Sequence, residues 1–264
     1  MFRAFWCAMV AAASLRFFDP FGSGKIVLFA VTYDKDWLNF EILGFLALGV
    51  FGGVYGALFC KANAAWSKRF RAGAWLGRHP IWEVALITAL TTVVAWQNPF
   101  AKLGGTELVS ELFLECHRHD KLSGLCVNTP EEVWPLVGSI LFALATKAAL
   151  TVVTFGIALP AGIFVPSLAV GACAGRVAGL LVELLHARHP GWAIFNECRA
   201  AAGEGPQPFG QSCVVPGIWA MVGAVATLAG VTRSESRSVL PLACVSVALA
   251  DNLAFVIQPR SRWR

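Results

Sequence analysis

The sequence predicts an all-α integral membrane protein, built as a multi-span helical bundle with broken or re-entrant helices. Of its 264 residues, 57% are hydrophobic and only 14% are charged, whereas soluble domains carry about 25% charged residues. Several apolar runs are long enough to cross a hydrocarbon core of about 30 Å. One of them contains Pro160, Gly162 and Pro166 at its start. Non-helical backbone within a membrane must be buried in protein or line a wet cavity.

Six apolar segments are predicted to be membrane helices. They are Arg3–Leu15, Leu38–Cys60, Ile81–Gln97, Val133–Leu159, Gly162–Leu185 and Pro216–Val231. A weaker run covers Ser238–Ile257, and the short Thr106–Cys116 has apolar residues at the spacing of a partial or interfacial helix. Taken alone, the first segment fits either a cleaved signal peptide or a membrane helix. The loop Lys61–His79 carries five Lys and Arg residues and no acid, which predicts a cytoplasmic position.

Small residues recur every four positions in two of these segments. The rows are Gly49, Gly53 and Ala57, flanked by Gly52 and Gly56, in the second segment, and Gly171, Gly175 and Gly179 in the fifth. Such rows allow helix backbones to approach closely in lipid. They predict where helices pack, and they indicate no particular chemistry.

Four of the eight cysteines lie in loops that are predicted to face away from the cytosol. Cys116 and Cys126 share one loop, and Cys198 and Cys213 share another. Each pair forms a disulfide in an oxidising compartment or stays as two free thiols. The chain has no Cys-x-x-Cys or His-rich ligand spacing, so we expect no metal site. The net charge of +5 is modest and does not indicate nucleic-acid binding.

The interrupted segment has the chemistry of a weak anion site. A helix that begins near Ile163 leaves its first N–H groups without partners inside the helix. Those groups and the helix dipole amount to about half a positive charge. Gly162 permits close backbone approach, and there is no Asp or Glu between Lys147 and Glu183. The alternative is a proline-containing hairpin between two ordinary spans, with no bound anion.

Other polar residues favour structural roles. Lys147, in the middle of a span, is expected to bond backbone carbonyls or to extend to the interface, although it could also raise the local anion concentration. Arg176 is expected to extend to the far interface. Glu41 and Glu83 stand where acids suit the start of a helix. The sequence contains no nucleophile motif, P-loop or dinucleotide fingerprint, so we expect neither an enzyme nor a cofactor.

The stretch "GIFVP" followed by "SLAVGACAGRVAG" resembles the CLC chloride channel and anion/proton exchanger family. That family places a G-x-F-x-P stretch at the start of a helix that points at the anion. Other similar stretches are "FFDPFGSGKIVLF", "GVFGGVYGALFCKANAAW", "TELVSELFLEC" and "PGIWAMVGAVATLAGVTR". The resemblance implies an anion site at Gly162, Ile163, Phe164, Val165 and Pro166, in which the backbone N–H groups of Ile163 and Phe164 hold chloride.

The same resemblance implies a fold and a set of partners. CLC subunits consist of two inverted halves, and residues 1–233 correspond to the last helix of the first half and most of the second. Residues 234–264 form a divergent tail. The first segment then becomes a membrane helix. The expected partners are chloride, protons, the lipid bilayer of an endosomal, Golgi or vacuolar membrane, and a second identical subunit.

Two functions remain open on the sequence. The first is chloride transport, by either a voltage-gated channel or a chloride/proton exchanger. The family's serine-containing G-S-G-x-P loop and its gating G-x-E-G-P segment are not found in this sequence, so channel and exchanger are not distinguished. The second is a non-conducting fragment that associates with complete subunits.

Overall fold

The computed structural model describes residues 9–10, 14, 38–71, 80–114, 125, 131–157, 162–189, 192, 195, 198 and 213–232. The chain divides into two compact units, Met1–Asp34 and Lys35–Arg264. In the first unit, the Ser14 hydroxyl donates to the Val10 carbonyl at 2.9 Å. Most of the first predicted segment, the run Ser238–Ile257 and the pair Cys116–Cys126 lie outside the described residues.

The second unit is helical throughout its described ranges. Its helices are α1 Glu41–Trp66, continued by a π-helical turn Ser67–Arg71, then α2 Pro80–Trp96, α3 Pro99–Lys102, α4 Gly105–Phe113, α5 Val133–Thr154, α6 Phe164–Arg188 and α7 Pro216–Thr232. No strand occurs within these ranges. The prediction of an all-α protein is therefore confirmed. The predicted end of α1 at Cys60 is wrong, because no Gly or Pro follows Gly56 until Gly73 and nothing stops the helix earlier.

Within the part of the chain that the structure describes, three helices are long and apolar enough to cross a membrane, namely Glu41–Arg69, Val133–Thr154 and Phe164–Arg188. α2 and α7 are apolar but shorter. In the most apolar stretch of each helix, the buried share is 72% for α6, 22% for α1 and 28% for α5. α6 is thus the centre of the described bundle, and α1 and α5 leave broad apolar faces for lipid or for other protein.

α6 and α7 pack through glycine. A Cβ atom added at Gly175 would overlap the carbonyl oxygen of Trp219, and one at Gly171 would overlap the Thr227 hydroxyl. At Gly179 the added atom would lie 2.9 Å from the Cα of Pro216. The structure therefore places the predicted glycine row of α6 at its contact with α7.

The glycine row of α1 differs from the predicted one. An added Cβ at Gly52 would lie 2.5 Å from the backbone of Ala226, and one at Gly56 would overlap the backbone of Gly230. Gly53 is exposed, with no described atom within 4 Å of such a Cβ, and Gly49 is half-buried. Among the described helices, Gly52 and Gly56 rather than Gly53 contact α7, and a packing role for Gly49 and Gly53 stays a prediction. Two small-residue rows lie side by side on α1, and spacing alone does not select between them.

A buried carboxylate ties the start of α1 to α7. The Glu41 carboxylate accepts hydrogen bonds from the Leu38 backbone N–H at 3.0 Å and from the Trp219 indole N–H at 2.9 Å. Glu41 is only 2% exposed. The prediction of a structural role for Glu41 at the beginning of a helix is confirmed, and its second partner fixes α1 against α7.

Candidate anion-binding site

The break in the membrane backbone begins where α5 ends. The Phe155 N–H donates to the Thr151 carbonyl at 3.0 Å. Gly156 follows with a φ of 93°, which is the left-handed region that only glycine enters without strain. The helix therefore stops at Thr154, five residues before the predicted end at Leu159.

The start of α6 offers backbone donors that no side chain of the described residues caps. Ile163 is the N-cap residue, and no side chain among the described residues caps the helix. The Ser167 hydroxyl does not serve this purpose, because it donates to the Ile163 carbonyl at 2.7 Å. No acid lies in the first turn. The N–H groups of Phe164 and Val165 belong to the first turn, which has no carbonyl partners inside the helix.

Gly162 leaves this helix start open. It is exposed, and no described atom lies within 4 Å of the position that a Cβ would occupy. Phe164 is 55% exposed, and Val165 and Pro166 are half-buried. An anion can therefore approach the backbone from the Gly162 side without displacing a side chain of the described residues.

Side chains from α1 and α7 form hydrogen bonds to the helix ends that flank the break, the end of α5 and the start of α6. Asn63 of α1 donates to the carbonyls of Val152 at 3.0 Å and Phe155 at 2.8 Å, at the end of α5. The buried Thr227 hydroxyl of α7 contacts the Ser167 carbonyl in the first turn of α6 at 3.0 Å. Both contacts are made to backbone carbonyls. They fix the position of the helix ends without adding charge.

The start of α4 lies beside the start of α6. A Cβ added at Gly105 would be 2.8 Å from a methyl carbon of Val165. Just before α4, the Leu103 carbonyl accepts a hydrogen bond from the Lys147 ammonium at 3.0 Å. The predicted role of Lys147 in bonding a backbone carbonyl is confirmed.

Arg176 lies in the interior, contrary to prediction. Its side chain is 1% exposed, and one guanidinium nitrogen donates to the carbonyls of Leu112 at 3.1 Å and Leu114 at 3.0 Å. These carbonyls lie at the C-terminal end of α4, where backbone carbonyls have no N–H partners within the helix. The prediction that Arg176 extends to the interface is wrong, because α4 folds back onto α6 at this depth.

The far end of α6 lies beside a disulfide. The structure joins Cys198 to Cys213, with Cα atoms 5.5 Å apart. Both belong to an apolar cluster with Phe195, Val214 and Trp219. The His186 imidazole in the last turn of α6 has a ring nitrogen near both sulfurs, and the three ligand atoms lie within 4.8 Å of one another. The sequence showed no such cluster, because its members come from three separate segments.

We expect non-reducing mass spectrometry to recover a peptide pair linked through Cys198 and Cys213. Closing a loop of this length contributes about 3 kcal/mol in the chain-entropy estimate. A reductant should therefore lower the melting temperature of the purified protein. Alkylation of both cysteines without prior reduction, in protein prepared from an oxidising compartment, would contradict this expectation.

Comparison with known proteins places the chain in a family. The model of the family described as voltage gated chloride channel matches residues 1–245. The chain belongs to the voltage gated chloride channel family. The match runs past Arg233, where the resemblance was expected to stop, and the boundary of a divergent tail at 234–264 stays a prediction. The all-helical membrane fold described above is the fold of a voltage gated chloride channel protein.

Individual members of the voltage gated chloride channel family are similar over most of the chain. The human H(+)/Cl(−) exchange transporter 3 is 38% identical over 274 residues, which cover 97% of this chain and 32% of the relative. The H(+)/Cl(−) exchange transporter 5 of Sus scrofa is 37% identical over 273 residues, with the same coverage. A probable chloride channel protein of Mycosarcoma maydis is 40% identical over 233 residues, covering 88% of this chain and 20% of the relative. The chain spans about a third of the length of the exchange transporters, and all three relatives are named as transporters or channels.

Proposed function

We propose that this chain carries one side of the chloride site of a membrane transporter. The observation that supports the proposal is the start of α6. It is a 25-residue apolar helix with no side-chain cap among the described residues and no acid in its first turn. The backbone N–H groups of Ile163 and Phe164 hold the anion, and Gly162 keeps the approach open.

The physical properties of a helix end suit transport. A lysine or arginine at the site would bind chloride too tightly for rapid release, whereas a helix end binds it weakly. Half-helix starts of this kind hold anions near the bilayer midplane in other transporters. Cations are disfavoured, because the exposed groups are N–H donors and no acid lies between Lys147 and Glu183.

The names of the relatives favour an exchanger over a channel. Two of the three are H(+)/Cl(−) exchange transporters, so we infer that chloride moves through this protein in exchange for protons. We place the protein in an intracellular membrane, as a homodimer, with the basic segment at the end of α1 facing the cytosol. No cofactor is required for this function.

A chimera tests the proposal. Residues 1–245 replace the matching segment of the human H(+)/Cl(−) exchange transporter 3, and the purified chimera is reconstituted into liposomes. We expect a chloride gradient to drive proton movement in the opposite direction, at a rate within about tenfold of the unmodified transporter. A chimera that is folded and dimeric but moves no chloride would overturn the proposal, and chloride movement without protons would favour a channel.

A further inference from the structure

His186, Cys198 and Cys213 form a compact group of metal-ligating side chains away from the anion site. The imidazole nitrogen and the two sulfurs lie within 4.8 Å of one another. His186 is in the last turn of α6, whereas Cys198 and Cys213 come from the chain that leads to α7. We propose that these three residues bind a soft or borderline divalent cation, with Zn²⁺ as the natural candidate, when the disulfide is reduced.

The donor set and its spacing fit zinc. Two thiolates and one imidazole are common zinc ligands, with Zn–S near 2.3 Å and Zn–N near 2.0–2.1 Å. In a tetrahedral site the two sulfurs therefore lie about 3.8 Å apart. Cysteines whose Cα atoms are 5.5 Å apart reach that separation by rotation of their side chains. The imidazole needs a shift on the order of 1 Å, and a fourth position remains for water or an anion.

The surroundings favour a neutral metal complex over two bare thiolates. Cys198 is 1% exposed and Cys213 is 9% exposed. Phe195 packs edge-on against the His186 ring, with centroids 4.9 Å apart, and the ring of Phe40 packs on Phe195 in turn. Unpaired thiolate charge is costly in such an apolar shell. Two thiolates and one Zn²⁺ carry no net charge, so the shell stabilises the complex relative to the free thiolates.

Disulfide and metal exclude each other, and reduction converts one state to the other. A trialkylphosphine with one water molecule reduces the Cys198–Cys213 bond, giving two thiols and the phosphine oxide. Zn²⁺ then displaces one proton from each thiol and keeps its own oxidation state. In a cell, a dithiol reductant would supply the two electrons and become a disulfide itself.

Metal titration of the full chain in detergent tests the site. The chain carries Cys116→Ser and Cys126→Ser, and its accessible free thiols are alkylated before the phosphine is added. We expect the reduced protein to bind one Co²⁺, with a thiolate-to-cobalt absorption band that Zn²⁺ abolishes, and the oxidised protein to show no band. Reduced protein without the band would overturn the proposal.

Two histidines in the same stretch provide a matched comparison. His186→Ala should weaken metal binding about tenfold or more, whereas His189→Ala, three residues further on at an exposed position stacked on Trp192, should leave it unchanged. Equal affinity in the two variants would overturn the role of His186. If His186→Ala does not fold, X-ray absorption of the Zn²⁺-loaded parent decides the matter. Two sulfurs and one imidazole in the zinc shell support the proposal, and a shell without sulfur overturns it.

Discussion

Gly175→Ala is expected to push α6 away from α7 and to destabilise the protein strongly. The added Cβ would overlap the carbonyl oxygen of Trp219 and lie 2.8 Å from the Cα of Ala220. These neighbours are backbone atoms within a helix, so they cannot rotate away. Overpacking costs about 1–3 kcal/mol and occasionally more, and we expect the upper end here. That is a large part of a total stability of about 5–15 kcal/mol.

Gly138→Ala is the matched control for this prediction. Gly138 lies in α5, is exposed, and has no described atom within 4 Å of an added Cβ. Alanine is favoured over glycine in a helix interior by about 0.8–1 kcal/mol, so this variant should melt at or above the parent temperature. Tryptophan fluorescence and size-exclusion chromatography in detergent measure both variants. Indistinguishable melting of the two proteins would show that the glycine contact is not tight.

Gly162→Val should lower chloride affinity by about one to two orders of magnitude in the chimeric transporter. The valine side chain would stand in the open approach to the Ile163 and Phe164 N–H groups. Loss of one hydrogen bond to a charged partner costs about 1.5–3 kcal/mol, which corresponds to this range of dissociation constants. The chloride dependence of flux and equilibrium binding of radioactive chloride both report the change.

Two controls separate an effect on the anion from an effect on folding. Ile163→Leu should be nearly silent, because the proposed site uses the backbone of Ile163 rather than its side chain. Gly53→Val places the same side chain at another exposed glycine with open space around it, and should leave chloride affinity unchanged. Parent-like affinity in Gly162→Val would support the alternative interpretation, in which the break before α6 is only a packing kink.

The helices themselves were predictable, because membrane hydropathy and helix-breaking residues are local signals. α2, α6 and α7 begin or end within about three residues of their predicted bounds. The start of α6 near Ile163 also followed from Gly162 and Pro166, whereas the anion site at this helix start stays a prediction. The end of α5 was less accurate, because apolar residues continue beyond the Gly156 turn that stops the helix.

The long-range contacts were not predictable from local pattern. The prediction for the Arg176 side chain used only its position along one helix. Its burial depends on α4 lying against α6. The choice between Gly52 and Gly53 depends on which face of α1 meets α7. His186, Cys198 and Cys213 show no ligand spacing, because the fold rather than the sequence brings them together.

The length of α6 has a consequence for its orientation. Twenty-five residues at 1.5 Å each make a rod of about 37 Å, and its first residue is Phe164. With the chloride site near the midplane, only about 15 Å of hydrocarbon remains on either side. An upright α6 would lift its apolar second half into water, including the half-exposed Leu181 and Leu185. On the proposal that the chloride site lies near the midplane, α6 would have to lie far more obliquely than the average tilt of about 20°, and chloride would cross the membrane at a steep angle to this helix.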